Sequence, residues 1–328
     1  TNNALFGYAA GNAITTGDAN TFIGSDCGDA NTTASNNTGV GQNAFGANTT
    51  GAQNVAVGKS ALAANTTAAD NTAVGYEALY ANTSATQNTA VGAFALRTTT
   101  TGAGNTAVGT ASQYASTGAN NTSMGLNAMR YNTTGAQQVA VGGSAMESNT
   151  TGYNNTAVGW ESMKANTTGH SGVAVGQQSQ LATTTGTKNV SVGHNSAASN
   201  TTGDNNVAIG DNSLATATTV SDNVAVGRDA LQNTTGAGNT GIGNGAGANV
   251  QAGANNTCVG QDSGNSTSPS GNIGSGDNII VLGNNSIATA KIKVDWTVTS
   301  DKRDKTDVEP LTMGLNFVNK LEPVTYKW

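Results

Sequence analysis

The sequence predicts an all-β chain, a parallel β-solenoid of about 15 coils. Three observations predict it. A glycine returns at Gly7, Gly24, Gly41, Gly58, Gly75, Gly92 and Gly109, and the series runs on to Gly260; thirteen of its fifteen steps are 17 residues and two are 16. An apolar residue precedes nearly every one of these glycines, as in Val57, Val74, Val91 and Val108. The three prolines, Pro269, Pro310 and Pro323, all lie beyond the last regular repeat. Proline would remove a ladder hydrogen bond from stacked strands, so its absence fits a rod in which every strand pairs with the next coil.

Each repeat opens on a short strand, exemplified by Thr72-Ala73-Val74 before Gly75. β-Branched residues alternate there with a small residue, which is strand patterning. On hydrophobicity, Val57, Val74, Val91 and Val108 are expected to stack as one inward column. Three and four residues after the glycine come Ala and Leu or Met, as in Ala61-Leu62 and Ala128-Met129, and a second short core-facing strand is expected there. A polar turn follows, such as Asn132-Thr133-Thr134-Gly135; Asn and Gly tolerate the left-handed backbone that turns require. Both 16-residue steps fall at this turn (Ser116-Thr117-Gly118 and Asn233-Thr234-Thr235-Gly236), which leaves the strand register intact. A helical reading fails because Gly and Asn interrupt every run of helix length.

Asn recurs four residues before the glycine in most coils, from Asn20 and Asn37 to Asn256. Stacked, these residues form an amide ladder from coil to coil. The rod would be roughly 70 Å long at ~4.8 Å between stacked strands. Its core of Val, Ala and Leu is thin, with 5% aromatic residues in the chain, so oligomerisation is expected to cover one face of each coil.

Composition excludes several functions. The net charge of −6 argues against nucleic acid and against an anionic membrane surface, and no run of 18 apolar residues is present for a membrane span. The chain opens in mid-repeat and reads as a fragment. Cys27 and Cys258 are 14 coils apart, so they are expected as buried free thiols. Neither a metal site nor a cofactor is expected; Gly243-Asn244-Gly245-Ala246-Gly247 has no helix after it and matches a phosphate loop only superficially. Glycoside hydrolysis needs two close carboxylates, and the repeats hold only Glu77, Glu147 and Glu161 as glutamates. Asp211 and Asp229 fall in adjacent coils, but Arg228 is expected to stack over Asp211 as a surface ion pair. Ice binding needs Thr-x-Thr on a flat strand, whereas the Thr pairs here are consecutive and sit in turns. The residue after each glycine varies freely and is expected to face solvent; among these, Tyr76, Trp160 and His194 are the candidates for receptor contact, for instance with a glycan.

The period breaks after Gly260. A Ser/Gly/Asn-rich neck (261–299) follows, with Asn278 to Gly283 expected as a last, longer strand. The final 38 residues carry 13 of the chain's 32 charges. There Ser300-Asp301-x-Arg303-x-Lys305 precedes Leu311, Leu315, Val318 and Leu321 at helical spacing, and Leu321-x-Pro323-Val324-x-Tyr326 closes the chain.

This order and spacing resembles the opening of the intramolecular chaperone domain at the C-termini of phage endosialidases and tail fibres. The resemblance covers about 30 residues of a longer domain, so 300–328 reads as its truncated start. It implies trimerisation followed by self-cleavage, with Ser300 as nucleophile, Lys305 as its base and Thr299–Ser300 as the scissile bond. Asp304 departs from the apolar residue often found there. The repeats resemble the left-handed β-roll of YadA-like trimeric adhesin heads, with slightly longer units, and also tail-fibre repeats. Together the resemblances imply a left-handed roll in a parallel homotrimer that belongs to a phage virion, contacts other tail proteins and mediates attachment to a host-surface receptor. The alternative is a bacterial surface adhesin or extracellular filament, and third comes a polysaccharide-cleaving tailspike. No enzymatic turnover is expected beyond single self-cleavage.

Overall fold

Each coil owes its shape to three consecutive strand residues and a glycine. A computed structural model describes residues 2–291, and among them no helix is present. The first sixteen strands run from β1 (Ala4–Phe6) to β16 (Thr257–Val259), and each is three residues long. They stack in one parallel sheet in exact register: β5 (Thr72–Val74) pairs with β6 (Thr89–Val91) through Thr72↔Thr89, Ala73↔Ala90 and Val74↔Val91. A final strand, β17 (Ile280–Leu282), pairs with β16 after a longer excursion; it has three residues like the others, not the greater length expected. At both 16-residue steps the pairing is undisturbed, with Thr106↔Thr122 and Val224↔Thr240 still opposed. The missing residue is therefore absorbed in the turn.

The turns are as thoroughly bonded as the strands. The Leu62 N–H donates to the Ala78 carbonyl of the following coil at 3.0 Å, and the Glu77 N–H donates to the Lys59 carbonyl of the preceding one at 3.0 Å. The stretch expected as a second strand is instead a turn in which Leu62 (φ 51°), Leu79 (φ 49°) and Met129 (φ 50°) are left-handed. A left-handed non-glycine residue costs roughly 1–2 kcal/mol, and bonds to both neighbouring coils together with full burial of Leu62 and Leu79 offset it. The expectation that these residues face the core holds; the strand geometry does not.

The expected inward column of Val57, Val74, Val91 and Val108 is reversed. In a three-residue strand only the middle residue can point one way while its two neighbours point the other. Ala56, Ala73, Ala90 and Ala107 are the fully buried residues, and Val91 is 37% exposed. The interior is too narrow for valine on the strand because Leu62, Leu79 and Leu96 fill it from the opposite corner.

Volume is balanced inside single coils. Phe22 takes the strand's inward place, and Gly28 stands where later coils carry Leu; a Cβ on Gly28 would lie 2.5 Å from the Phe22 ring. One coil on the arrangement inverts, with Gly39 on the strand and the fully buried Phe45 at the corner. The two rings meet at 6.1 Å.

The asparagine ladder is present and buried. The Asn71 N–H donates to Asn54 Oδ1 at 2.9 Å, while Asn71 Nδ2 donates to the Ala85 carbonyl at 3.0 Å. Each side chain thus ties its coil to both neighbours. A second ladder, unforeseen in sequence, runs through the turn asparagines: Asn48 Nδ2 donates to Asn31 Oδ1 at 3.0 Å and Asn65 Nδ2 to Asn48 Oδ1 at 2.8 Å. Asn132, Asn149 and Asn166, which open Asn-Thr-Thr sequons, are fully buried in it.

The recurrent glycine has two reasons. Gly75 has φ +142°, and a Cβ there would lie 2.5 Å from the Gly92 carbonyl oxygen of the next coil. Gly75→Ala is expected to destabilise the rod by about 3 kcal/mol or more. Gly143→Ala, at a position where other coils carry Ala93 and Thr110, should change little; chemical denaturation of the two variants checks this. Asn71→Ala should cost about 2–3 kcal/mol, because it strands the Asn88 N–H and the Ala85 carbonyl. Deleting Ser84, in the turn where the natural 16-residue steps fall, should cost less than either.

Candidate functional site

The outward side chains decide what this rod can contact, since its interior is closed. The residue after each glycine does face solvent: Tyr76 is 43% and Trp160 50% exposed, and the His194 side chain is 49% exposed. The structure does not bring these three candidates together. Trp160 is five coils and His194 seven coils from Tyr76, roughly 24 and 34 Å along the stack at ~4.8 Å per coil.

Each candidate has its own surroundings. His194 Nδ1 lies 2.8 Å from Asp211 Oδ1. The ion pair expected between Arg228 and Asp211 is not formed; Arg228 instead approaches its sequence neighbour Asp229 at 3.5 Å, and Asp211 is taken from the other side by His194. Near Trp160, Glu161 accepts from Lys164 Nζ at 2.6 Å and from Gln178 Nε2 at 3.0 Å, and these bonds hold its carboxyl below the usual carboxylate range.

Tyr76 belongs to a cluster that spans three successive coils. Five residues after their glycines, Tyr80, Arg97 and Tyr114 stack in one column. The Arg97 guanidinium sits 5.3 Å from the Tyr80 ring centre, 5.7 Å from Tyr114 and 5.9 Å from Phe94. Arg97 Nε donates to Glu77 Oε2 at 2.6 Å and Nη1 donates to the Tyr114 hydroxyl at 3.0 Å. Tyr76 packs edge-on against Phe94 with centroids 5.2 Å apart. The Arg97 bond holds the Glu77 carboxyl below its ordinary range. Sequence reasoning picked out Tyr76 alone; writing the repeats in register would have aligned Tyr80, Arg97 and Tyr114.

Hydrolytic chemistry finds no support in this geometry. Glu77 and Glu161 are each engaged by a cation, and among the described residues no group of three potential metal ligands occurs. A cavity of about 350 Å³ lies beside Gln261, Gly283, Asn284, Ser286 and Ile287, with no acid or base in its lining. Cys27 and Cys258 are free and buried, and burial pushes both thiols up to about 11. No helix among the described residues is long and apolar enough to cross a membrane.

Thr299, Ser300 and Lys305 lie outside the described residues. Residues 300–328 match a protein-family model described as the chaperone of endosialidase. No curated protein matches the chain.

The depressed Glu77 carboxyl carries a pH dependence. Its contribution is present at neutral pH and is lost as pH falls below the ordinary carboxylate range and through the lower folded value. With side chains 16% and 30% exposed, the pair is worth under about 1 kcal/mol. Thermal unfolding of wild type and Glu77→Gln should therefore differ slightly at pH 7 and converge as pH falls below the ordinary carboxylate range.

Proposed function

We propose that the chain is part of a homotrimeric phage tail fibre that carries host attachment, with residues 1–260 as its rod, 261–299 as the neck and 300–328 as the start of a chaperone domain. The single observation that carries this reading is the chaperone-of-endosialidase match at 300–328, directly after a β-solenoid. On this reading the protein belongs to the virion, in contact with other tail proteins at its ends and with a receptor, such as a surface glycan, along its sides. A bacterial surface adhesin remains the second reading, favoured by the likeness of the Asn-x-Val/Ala-Val/Ile-Gly core to YadA-like heads.

The strand face supports the trimer. Outward from the sheet runs an apolar column from Phe6 and Ile23 through Val91 and Met124 to Val259 and Leu282, flanked by a column mostly of Thr and Val. Ile23 is 41% and Met124 51% exposed. This unbroken stripe repeats in every coil, so three copies in parallel register can cover it along its whole length. Burying the exposed remainder contributes about 0.5–1 kcal/mol per aliphatic residue, summed over many coils. Val91→Asp, which in the interior would have wrecked the coil, is now expected to spare the fold and weaken association. Sedimentation should show less trimer, with an unchanged circular dichroism spectrum.

Self-cleavage follows from the same resemblance. The Ser300 hydroxyl, its proton taken by Lys305, attacks the Thr299 carbonyl; the acyl group shifts from nitrogen to oxygen, and water hydrolyses the resulting ester. The products are a Thr299 carboxylate and a free Ser300 amine. A serine needs a neighbouring base, and lysine serves once its pKa is lowered. Intact-mass measurement of the full-length protein should show the cut in wild type, its loss in Ser300→Ala and its slowing in Lys305→Ala, with trimers formed in all three. Retention of the full C-terminus by wild-type trimers would overturn the cleavage reading.

A further inference from the structure

We propose that the cluster around Arg97 is a saccharide-binding platform for a neutral pyranose, with Tyr76, Tyr80 and Phe94 as its stacking surfaces. The proposal rests on the attachment reading and gives it a place on the rod.

The rings are not needed to build the coil. The column that holds Tyr80, Arg97 and Tyr114 is filled by Ala63, Ala198 and Ala215 elsewhere, and the Tyr76 position by Ala93 and Thr110. Structural devices of this rod recur in coil after coil, as the glycines and asparagines do. Of the eleven Phe, Tyr and Trp residues before residue 292, seven fall between Tyr76 and Trp160, and residues 161–291 contain none.

The geometry suits a sugar. Arg97 is clamped by Glu77 at 2.6 Å and by the Tyr114 hydroxyl at 3.0 Å, so the rings packed around it are held before any ligand arrives and little side-chain freedom is lost on binding. Tyr76 and Tyr80 remain 43% and 37% exposed and offer apolar faces to the C–H side of a pyranose. The Tyr76 hydroxyl pairs with the Glu77 carboxylate, which raises the Tyr76 pKa and holds that ring in place. Glu77 and Arg97 neutralise each other, which favours an uncharged ligand: an anion would meet the Glu77 carboxylate, and a cation would meet the Arg97 guanidinium. A stable protein partner needs roughly 800 Å² from each side, more than three short turns present.

The test uses the full-length trimer on a microarray of neutral, sialylated and phosphorylated bacterial oligosaccharides. Wild type should retain at least one neutral glycan. Tyr76→Ala and Tyr80→Ala, which place alanine where other coils already carry it, should keep the wild-type melting temperature and lose at least ten-fold in affinity. Arg228→Ala, at an exposed position nine coils from Tyr76, should stay within about two-fold. Retention of only anionic glycans, of none, or equal retention by Tyr80→Ala overturns the platform. Adhesion of the same proteins to a panel of bacterial cells separates the two readings. Equal adhesion by wild type and Tyr80→Ala leaves attachment standing and rejects the platform, whereas wild-type glycan binding without adhesion to any cell does the reverse.

Discussion

Coil-to-coil contact at the glycine column is the constraint on which the rest of this structure depends. Successive glycines approach so closely that a Cβ at Gly92 would lie 2.6 Å from the Gly109 carbonyl oxygen. That approach brings every other backbone group into hydrogen-bonding reach of the neighbouring coil. The strands then need only three residues each, because the ladder continues through the turns. Left-handed corners at Leu62 and Leu79 are sustained by the same bonds and by the core they close. Stability in such an array is a sum of nearest-neighbour terms, so one misplaced coil disturbs its two interfaces first.

A coil this tight has room for little inside. Alanine lines the strand, Leu or Met fills the far corner, and two asparagine ladders satisfy the buried turn carbonyls. The exchange of Ala plus Leu for Phe22 plus Gly28 shows that interior volume is nearly conserved. With the interior full, the β-branched residues of each strand have only the outer face to occupy. The apolar stripe that the proposed trimer covers is therefore a consequence of the narrow coil, and the thin core and the association surface have one cause.

Much of this was legible in the sequence. The period, the parallel register, the tolerance of the turn to length change and the ladder through Asn54, Asn71 and Asn88 all follow from repetition, because a stacked repeat turns one-dimensional periodicity directly into columns. What repetition does not report is which way a column points. Val91 was read as inward because it is the more hydrophobic of the two alternating residues, but space decided in favour of Ala90. The ladder through Asn48 and Asn65 is hidden in the sequence because each reads as an ordinary polar turn residue, while its amide bonds a carbonyl of its own turn and the asparagine of the preceding coil. The cluster around Arg97 was missed for a different reason: Tyr80, Arg97 and Tyr114 are chemically unlike one another, so their shared column appears only when the coils are aligned on their glycines.

Paired spin labels give the most direct test of the central claim that coil stacking turns the valine column outward to become the association face. Cys27 and Cys258 are buried with raised thiol pKa values, so an introduced cysteine can be labelled selectively. In the trimer, a label at Val91→Cys should report one short, narrow inter-chain distance, near the ~10 Å spacing of packed sheets plus the label's own reach. A label at Lys59→Cys, on the turn face, should report a distinctly longer one. A Lys59→Cys distance shorter than that at Val91→Cys would contradict the account.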